Sequence, residues 1–384
     1  MSRFFDLVSK PAREMGSYAP GAPVRRPSRE SQPKLIRLDS NENPFGPSPR
    51  AIEAMRSGVA SAHSYPDDDC TELRRKLAAH HGLPPEQVLV TAGSTALLGL
   101  LCQTLLTPGL NAVTSERSFI VYSLAVHATG AQLIETSMRN DSFDLDAILD
   151  AIDGNTRLVF LANPNNPTGS LVDAEVVDKF LSRVPGHVVV VLDEAYVEFA
   201  QYFATLRKVA YPNSLDHVQQ GASVVVLRTF SKAHGLAGLR VGYGLGPAEL
   251  LAYCARMRNT FSVASLAQTA AIAAVDDSDH IHRVVANNAA QARVLADEIS
   301  ALGYRVVPTS ANFLYFDAGE DASDFADRLR SEGVSVRPLR AWGAANCVRV
   351  SIGTPEQNQF FLAAVRKTAH VRTARVNLSE AQKR

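Results

Sequence analysis

Residues Arg228–Tyr243 read RTFSKAHGLAGLRVGY, one lysine set between small hydroxyl residues and a glycine-rich turn. The apolar runs on either side, Ser223–Arg228 and Arg240–Gly244, read as buried strands. Lys232 therefore lies in the connection that follows a strand. In isolation such a segment also describes a solvated lysine at a strand end, so the flanking chain has to decide.

Outward from this segment the sequence alternates. Toward the N-terminus, Val88–Thr91, Ala112–Thr114, Gln132–Glu135, Leu158–Ala162 and His187–Leu192 are short apolar strands. Helical patterns at Ala96–Leu106, Asp146–Ile152 and Ala174–Ser182 separate many of them, after helices at Ala51–Val59 and Asp69–His80. Strands alternating with helices imply an α/β fold with a doubly wound, mainly parallel sheet. Beyond about Ala264 the texture becomes long alanine-rich helices, Ser265–Val275 and His280–Leu302. The apolar strand ANFLYF, a helix Ala322–Glu332 and a strand pair around Val336 and Val348 follow. That is an α+β pattern. The expected organisation is an N-terminal arm and covering loop over 1–45, a large α/β domain over 46–264, a smaller α+β domain over 265–367 and a polar tail over 368–384.

At 384 residues the chain exceeds a typical single domain. With 39 basic against 39 acidic residues, it has no global field to attract nucleic acid or an anionic membrane. Its four cysteines are scattered without CxxC spacing, which argues against a zinc site or disulfide framework and fits a reducing compartment. The N-terminus lacks the apolar run of a signal peptide, and no stretch approaches a membrane span. A cytoplasmic protein is the expectation.

In an open parallel sheet, ligands bind beyond the carboxyl ends of the strands. Lys232 occupies such a place. A lysine amine is a poor nucleophile while protonated, and desolvation or a neighbouring cation such as Arg240 lowers its pKa. Thr229 and Ser231 offer hydroxyls, and Gly235 and Gly238 allow close backbone approach. A lysine beside a phosphate cradle points to pyridoxal phosphate bound as an imine. Ser94 and Thr95, after Val88–Thr91, open a helix whose free N–H groups suit a phosphate, although the same pair is common at any helix start. NPNNPTG follows Leu158–Ala162 as a rigid polar turn in which Asn166 has an amide to donate. Asp193 ends an apolar run, a costly place for a carboxylate unless a cation such as a protonated pyridine nitrogen meets it. Tyr196 lies within reach of the ring hydroxyl.

NPNNPTG, LDEAY and SKAHGLAGLRVGY, in this order, resemble the fold-type I pyridoxal-phosphate aminotransferases, and within them the histidinol-phosphate aminotransferase subgroup. SYAPG, LDSNENPFG, YPDDDCTELR, FIVY, SLAQTAA, SANFLYF and RVSIGTPEQN extend the resemblance from about Tyr18 to Val365. It implies transamination of L-histidinol phosphate with 2-oxoglutarate in a homodimer with shared active sites. Lys232 would hold the cofactor and move the proton, Asp193 would pair with the ring nitrogen, and Asn166 and Tyr196 would hold the 3′ oxygen. Ser94, Thr95, Thr229, Ser231 and Arg240 would surround the phosphate, with Tyr65 reaching it from the other subunit. Phe119 would stack on the ring where tyrosine is frequent in the family. Arg349 would bind the substrate's anion, assisted by Arg337 or Arg340, and Tyr18 would cover the site. No metal is expected.

The sequence departs from the family at His234, where phenylalanine is common, at Arg258–Val263, and in a longer segment from Tyr202 to Gly221. These departures bear on the amino donor rather than the cofactor. An aromatic amino-acid aminotransferase, or a decarboxylase acting on threonine phosphate, would share Lys232 and Asp193. A cofactor-binding regulator would need a DNA-binding domain for which the short arm leaves no room. A nicotinamide-dependent dehydrogenase would need an early glycine fingerprint. Gly242–Gly246 is misplaced for that role, and Asp67–Asp69 and Asp276–His282, which resemble metal clusters, read as a solvated loop and helix start with acidic caps.

Overall fold

A computed structural model describes residues 4–5, 7–14 and 35–381, the last thirteen of these by backbone alone. Tyr18 and most of the arm lie outside the described residues. After a short helix, Lys10–Glu14, the described chain forms a short strand, β1 (Ile36–Arg37), and then builds a large sheet. Its strands are β2 (Val88–Thr91), β3 (Asn111–Ser115), β4 (Gln132–Thr136), β5 (Thr156–Ala162), β6 (Val189–Asp193), β7 (Val224–Thr229) and β8 (Gly242–Leu245). Their order is β2-β8-β7-β6-β5-β3-β4. The pairs from β7 through β4 are parallel, whereas β8 pairs antiparallel with both β2 and β7, so β8 alone runs against the rest. The interior strands are buried nearly throughout because helices cover both faces, while the edge strand β4 is half exposed.

Local chemistry sets the helix ends. Ser48 accepts a hydrogen bond from Ala51 N, and Pro49 stands at the first position of helix Pro49–Gly58. Helix Thr71–His81 stops at Gly82, whose φ of 65° favours glycine. The acidic run before it serves the backbone, since Asp67 accepts from Thr71 N at 2.7 Å and from Asp69 N at 3.1 Å.

The smaller sheet is antiparallel, with β9 (Arg305–Val307), β10 (Phe313–Asp317), β12 (Arg337–Leu339) and β13 (Ala344–Ser351) in the order β12-β13-β10-β9. Helices Ser278–Ala301, Ala322–Ser331 and the helix beginning at Pro355 close its core, where Leu295, Phe316, Phe325, Leu329 and Phe361 are buried. A separate strand, β11 (Val334–Ser335), pairs in parallel with β1, and Leu38 enters the smaller core. The arm thus ends as part of the smaller unit.

Two expectations need correction. Helix Ser265–Val275, assigned by sequence to the smaller domain, packs Ala267, Ala270, Ala271 and Ala274 into the large core and lies against helix Pro49–Gly58. A helix that is apolar on every side carries no sequence signal for which core it joins. Arg240, expected as the first residue of a strand, instead adopts a left-handed φ of 51° in the turn before β8. Among the described residues no helix is long and apolar enough to cross a membrane.

Candidate active site

A cavity of about 770 Å³ opens beyond the carboxyl ends of β2, β5, β6 and β7 and is roofed by β12 and β13. Because β8 runs antiparallel, its preceding turn lies at this same end, which is how Arg240 arrives there. The cavity gathers Ser94, Thr95, Phe119, Asn166, Asp193, Tyr196, Thr229, Ser231, Lys232, Arg240, Arg337 and Arg349.

Lys232 Nζ stands 3.3 Å from the carbonyl oxygens of both Ser40 and Asn41, and 5.7 Å from the centre of the Tyr196 ring. Burial, with the Arg349 and Arg240 guanidinium groups nearby, brings its pKa down to about 7 against the opposing pull of Glu42 and Asp193. Near neutral pH a large share of this amine is therefore unprotonated and nucleophilic. Asp193 closes β6, and burial pushes its carboxyl up to about 6 despite hydrogen bonds from Tyr122 and Ala195 N. Tyr122 Oη donates to Oδ2 at 2.9 Å and Ala195 N to Oδ1 at 3.2 Å. Both donors are neutral, so a cationic ring nitrogen delivered here would meet the carboxylate's remaining demand.

The end of the cavity at Arg240 is shaped by close backbone approach. Gly93 has φ 86°, and a Cβ there would come 2.7 Å from an Arg240 guanidinium nitrogen. A Cβ on Gly242 would collide with Ser94 N, at the start of helix Ser94–Leu105. Thr229 Oγ1 donates to Ser231 Oγ at 3.0 Å, and an Arg240 terminal nitrogen reaches the same oxygen at 3.3 Å. Hydroxyls, a guanidinium and a helix N-terminus form a donor set that suits a phosphate monoester.

On the smaller-sheet side, Arg349 donates to Asn166 Oδ1 at 2.6 Å and to the Asp39 carbonyl at 2.9 Å. Arg337 Nε reaches that carbonyl at 3.4 Å. Tyr196 Oη accepts from Asn41 Nδ2 at 2.9 Å. Of the two arginines weighed as partners for Arg349, only Arg337 lines the cavity. Arg340 is mostly exposed and pairs with Asp321. Tyr65 lies outside this chain's cavity, 82% exposed and stacked on Phe261 with ring centres 4.6 Å apart.

Sequence reading missed several contributors. Arg37 and Trp342 also line the cavity, and the Ser40 and Asn41 carbonyls approach Lys232 across more than 190 residues. Tyr122 had one usable signal, since it closes the stretch FIVY three residues beyond Phe119 and a phenol among apolar residues must find a hydrogen-bond partner.

A family model described as aminotransferase class I and II matches residues 33–365. The chain belongs to that family. As an aminotransferase it takes an amino donor and an oxo acid. This aminotransferase is 42% identical over 370 residues to histidinol-phosphate aminotransferase 2 of Pseudomonas aeruginosa, with 96% of this chain and 99% of the relative covered. It is 40% identical to the histidinol-phosphate aminotransferase of Moorella thermoacetica over 91% of this chain and 90% of the relative. Among solved structures, the histidinol-phosphate aminotransferase of Sinorhizobium meliloti in complex with pyridoxal-5′-phosphate superposes with a TM-score of 0.81 at 30% identity, covering 88% of this chain and 91% of that one. The fold is accordingly fold type I.

Proposed function

We propose that this aminotransferase binds pyridoxal phosphate through Lys232 and transfers the amino group between L-histidinol phosphate and 2-oxoglutarate. The observation that carries the cofactor reading is the juxtaposition of a lysine brought down to about 7 with a buried carboxylate held only by neutral donors. The cofactor, when bound, supplies an electron sink for the carbanion at the substrate's α-carbon. Lys232 Nζ would take up and release the proton at that carbon, a role that its partly unprotonated state allows. Asp193 keeps the ring nitrogen protonated, while Asn166 and Tyr196 orient the ring's 3′ oxygen. Phe119 covers the ring, and Ser94, Thr95, Thr229, Ser231 and Arg240 fix the phosphate.

The donor assignment is supported by the names of the relatives and by the guanidinium groups of Arg37, Arg337 and Arg349 at one end of the cavity. Arg37 stands 3.6 Å from the Asp39 carboxylate, which keeps its guanidinium at that end. Tyr65, exposed beside Phe261, supports a homodimer in which it reaches the partner's phosphate site. The protein works in the cytoplasm on this reading.

A single-turnover assay tests the proposal. The purified protein loaded with pyridoxal phosphate should show a visible absorption band that Lys232→Ala lacks, and histidinol phosphate should bleach it faster than phenylalanine, tyrosine or glutamate. Bleaching by the aromatic amino acids and glutamate alone would retain the chemistry and remove histidinol phosphate as donor. A lysine-dependent band that no donor bleaches would reject transamination.

A further inference from the structure

The strands that carry the catalytic groups also present a second set of ionisable groups to the opposite face of the sheet. Side chains alternate along a strand, and directly paired residues share a face. Thr229 pairs with Gly242 on the phosphate side, so Arg228 and its partner Tyr243 point the other way. Asp193 and Glu194 divide similarly. Asp193 faces the active site, whereas Glu194 accepts two hydrogen bonds from Arg228, at 2.8 and 3.0 Å.

Behind this face lies a cavity of about 430 Å³, bounded by the helices Thr71–His81, Val197–Arg207 and Ser278–Ala301. Phe230, Tyr243 and Tyr202 supply aromatic walls, and Glu198, Gln201, His80, His81, His234 and His282 supply polar atoms. Burial lowers the pKa of the His80 and His81 imidazoles, His81 to about 3, and so holds both toward the uncharged form. His234 Nε2 meets Glu198 Oε1 at 3.4 Å, while Glu198 Oε2 and His234 Nδ1 are buried with no hydrogen-bond partner. A buried carboxylate oxygen without a donor is costly. Arg228, the cation bordering the cavity, is already engaged by Glu194. Among the described residues no three His, Cys, Asp or Glu side chains stand close enough to hold a metal ion. Arg228 is the one permanently charged donor in the lining and is engaged, so the chemistry missing from this cavity is a free, permanently charged N–H donor on an apolar or aromatic body.

We propose that this cavity is a second ligand site of the enzyme, which takes a small organic ammonium or imidazolium ion with its N–H on Glu198 and its body against Phe230 and Tyr243. A cation beside aromatic faces gains from the ring quadrupole as well as from the carboxylate. The site is separate from the one that holds substrate, because the sheet lies between them. It also uses His234, the position at which the sequence departs from the phenylalanine common in its family. Its occupant touches the segment Phe230–His234 that carries Lys232.

The test uses the pyridoxal-phosphate-loaded protein and N,N-dimethylbenzylamine, a tertiary ammonium that has one N–H and cannot form an imine with the cofactor. Titration calorimetry should show one saturable site per chain for this probe and none for benzyl alcohol or benzoate. Glu198→Gln, which keeps shape and removes charge, should weaken binding at least tenfold while leaving the cofactor's visible band and the thermal midpoint in place. His234→Phe should weaken it to a lesser degree. Binding that Glu198→Gln leaves unchanged would overturn the proposal, as would absence of saturation by the ammonium. So would equal binding of benzyl alcohol, which would mark a merely apolar cleft, or displacement of the probe by histidinol phosphate with equal potency in wild type and Glu198→Gln, which would place the probe in the active site.

Discussion

Asp193 and Glu194 are neighbours in sequence and equally deep in the fold, yet they meet opposite fates. Glu194 is satisfied inside the chain by a two-point hydrogen bond from Arg228. Asp193 receives only a phenol and a backbone amide, and burial holds its carboxyl at about 6. The pleat puts one on each face of the sheet. A buried carboxylate matched by an internal cation is part of the fold, whereas one left with neutral donors is shaped for a cation that arrives from outside.

The largest effect on this contrast should come from the amine opposite Asp193. Lys232→Ala should abolish the visible cofactor band and lower turnover by about a thousandfold or more, since on the proposed function it removes both attachment and proton transfer. Retained turnover would reassign the reactive group. Next, Glu194→Gln leaves Arg228 buried without its counter-ion and should destabilise the protein by about 3–5 kcal/mol, read from the urea midpoint of the apo-protein.

Asp193→Asn should act in the opposite direction on the same measurement. In the folded apo-protein the carboxyl keeps its proton up to about 6, against 3.8 ordinarily. The folded state therefore binds more protons than the unfolded one across that window, and stability falls as pH rises through it. Removing the charge should return on the order of 2–3 kcal/mol at pH 7 and nothing below about pH 4, while cofactor affinity drops. An apo-protein destabilised by Asp193→Asn would break the comparison. Arg349→Ala should raise KM roughly 10- to 100-fold with a smaller effect on cofactor binding, because it removes charged hydrogen bonds to an anion, and Arg340→Ala should leave both unchanged. Equal loss of substrate and cofactor in Arg349→Ala would reject that assignment. The smallest loss of stability is expected from Tyr122→Phe, about 1 kcal/mol for the lost hydrogen bond, with the Asp193 carboxyl displaced further upward in an apo-protein titration.

How much of this was legible in the sequence depends on whether a residue's partner is near or far along the chain. The strands around Lys232 and Asp193, the turn that holds Asn166 and the helix start at Ser94 are local events with local signals. The carbonyls of Ser40 and Asn41 beside Lys232, and the hydroxyl of Tyr122 on Asp193, depend on packing across 71 to 192 residues. Nothing in composition announces them. Helices Val197–Arg207, Ser214–Gln219 and Ala248–Arg256 were also passed over. The first two fall in or beside the segment read only as long, where short amphipathic patterns compete with turn residues.

The attachment of the early chain to the late one has a consequence for the birth of the enzyme. Asn41 N donates to Ser351 Oγ at 2.7 Å across 310 residues, and Ile36 of β1 pairs with Val334 of β11. At a synthesis rate of about 5–20 residues per second, the segment that will lie against Lys232 waits roughly 15–60 s before its partners exist. During that interval the large sheet can form and present Lys232 without the carbonyls of Ser40 and Asn41 fixed beside it. The synthesis of residues 334–351 thus decides when Ser40 and Asn41 are fixed beside Lys232.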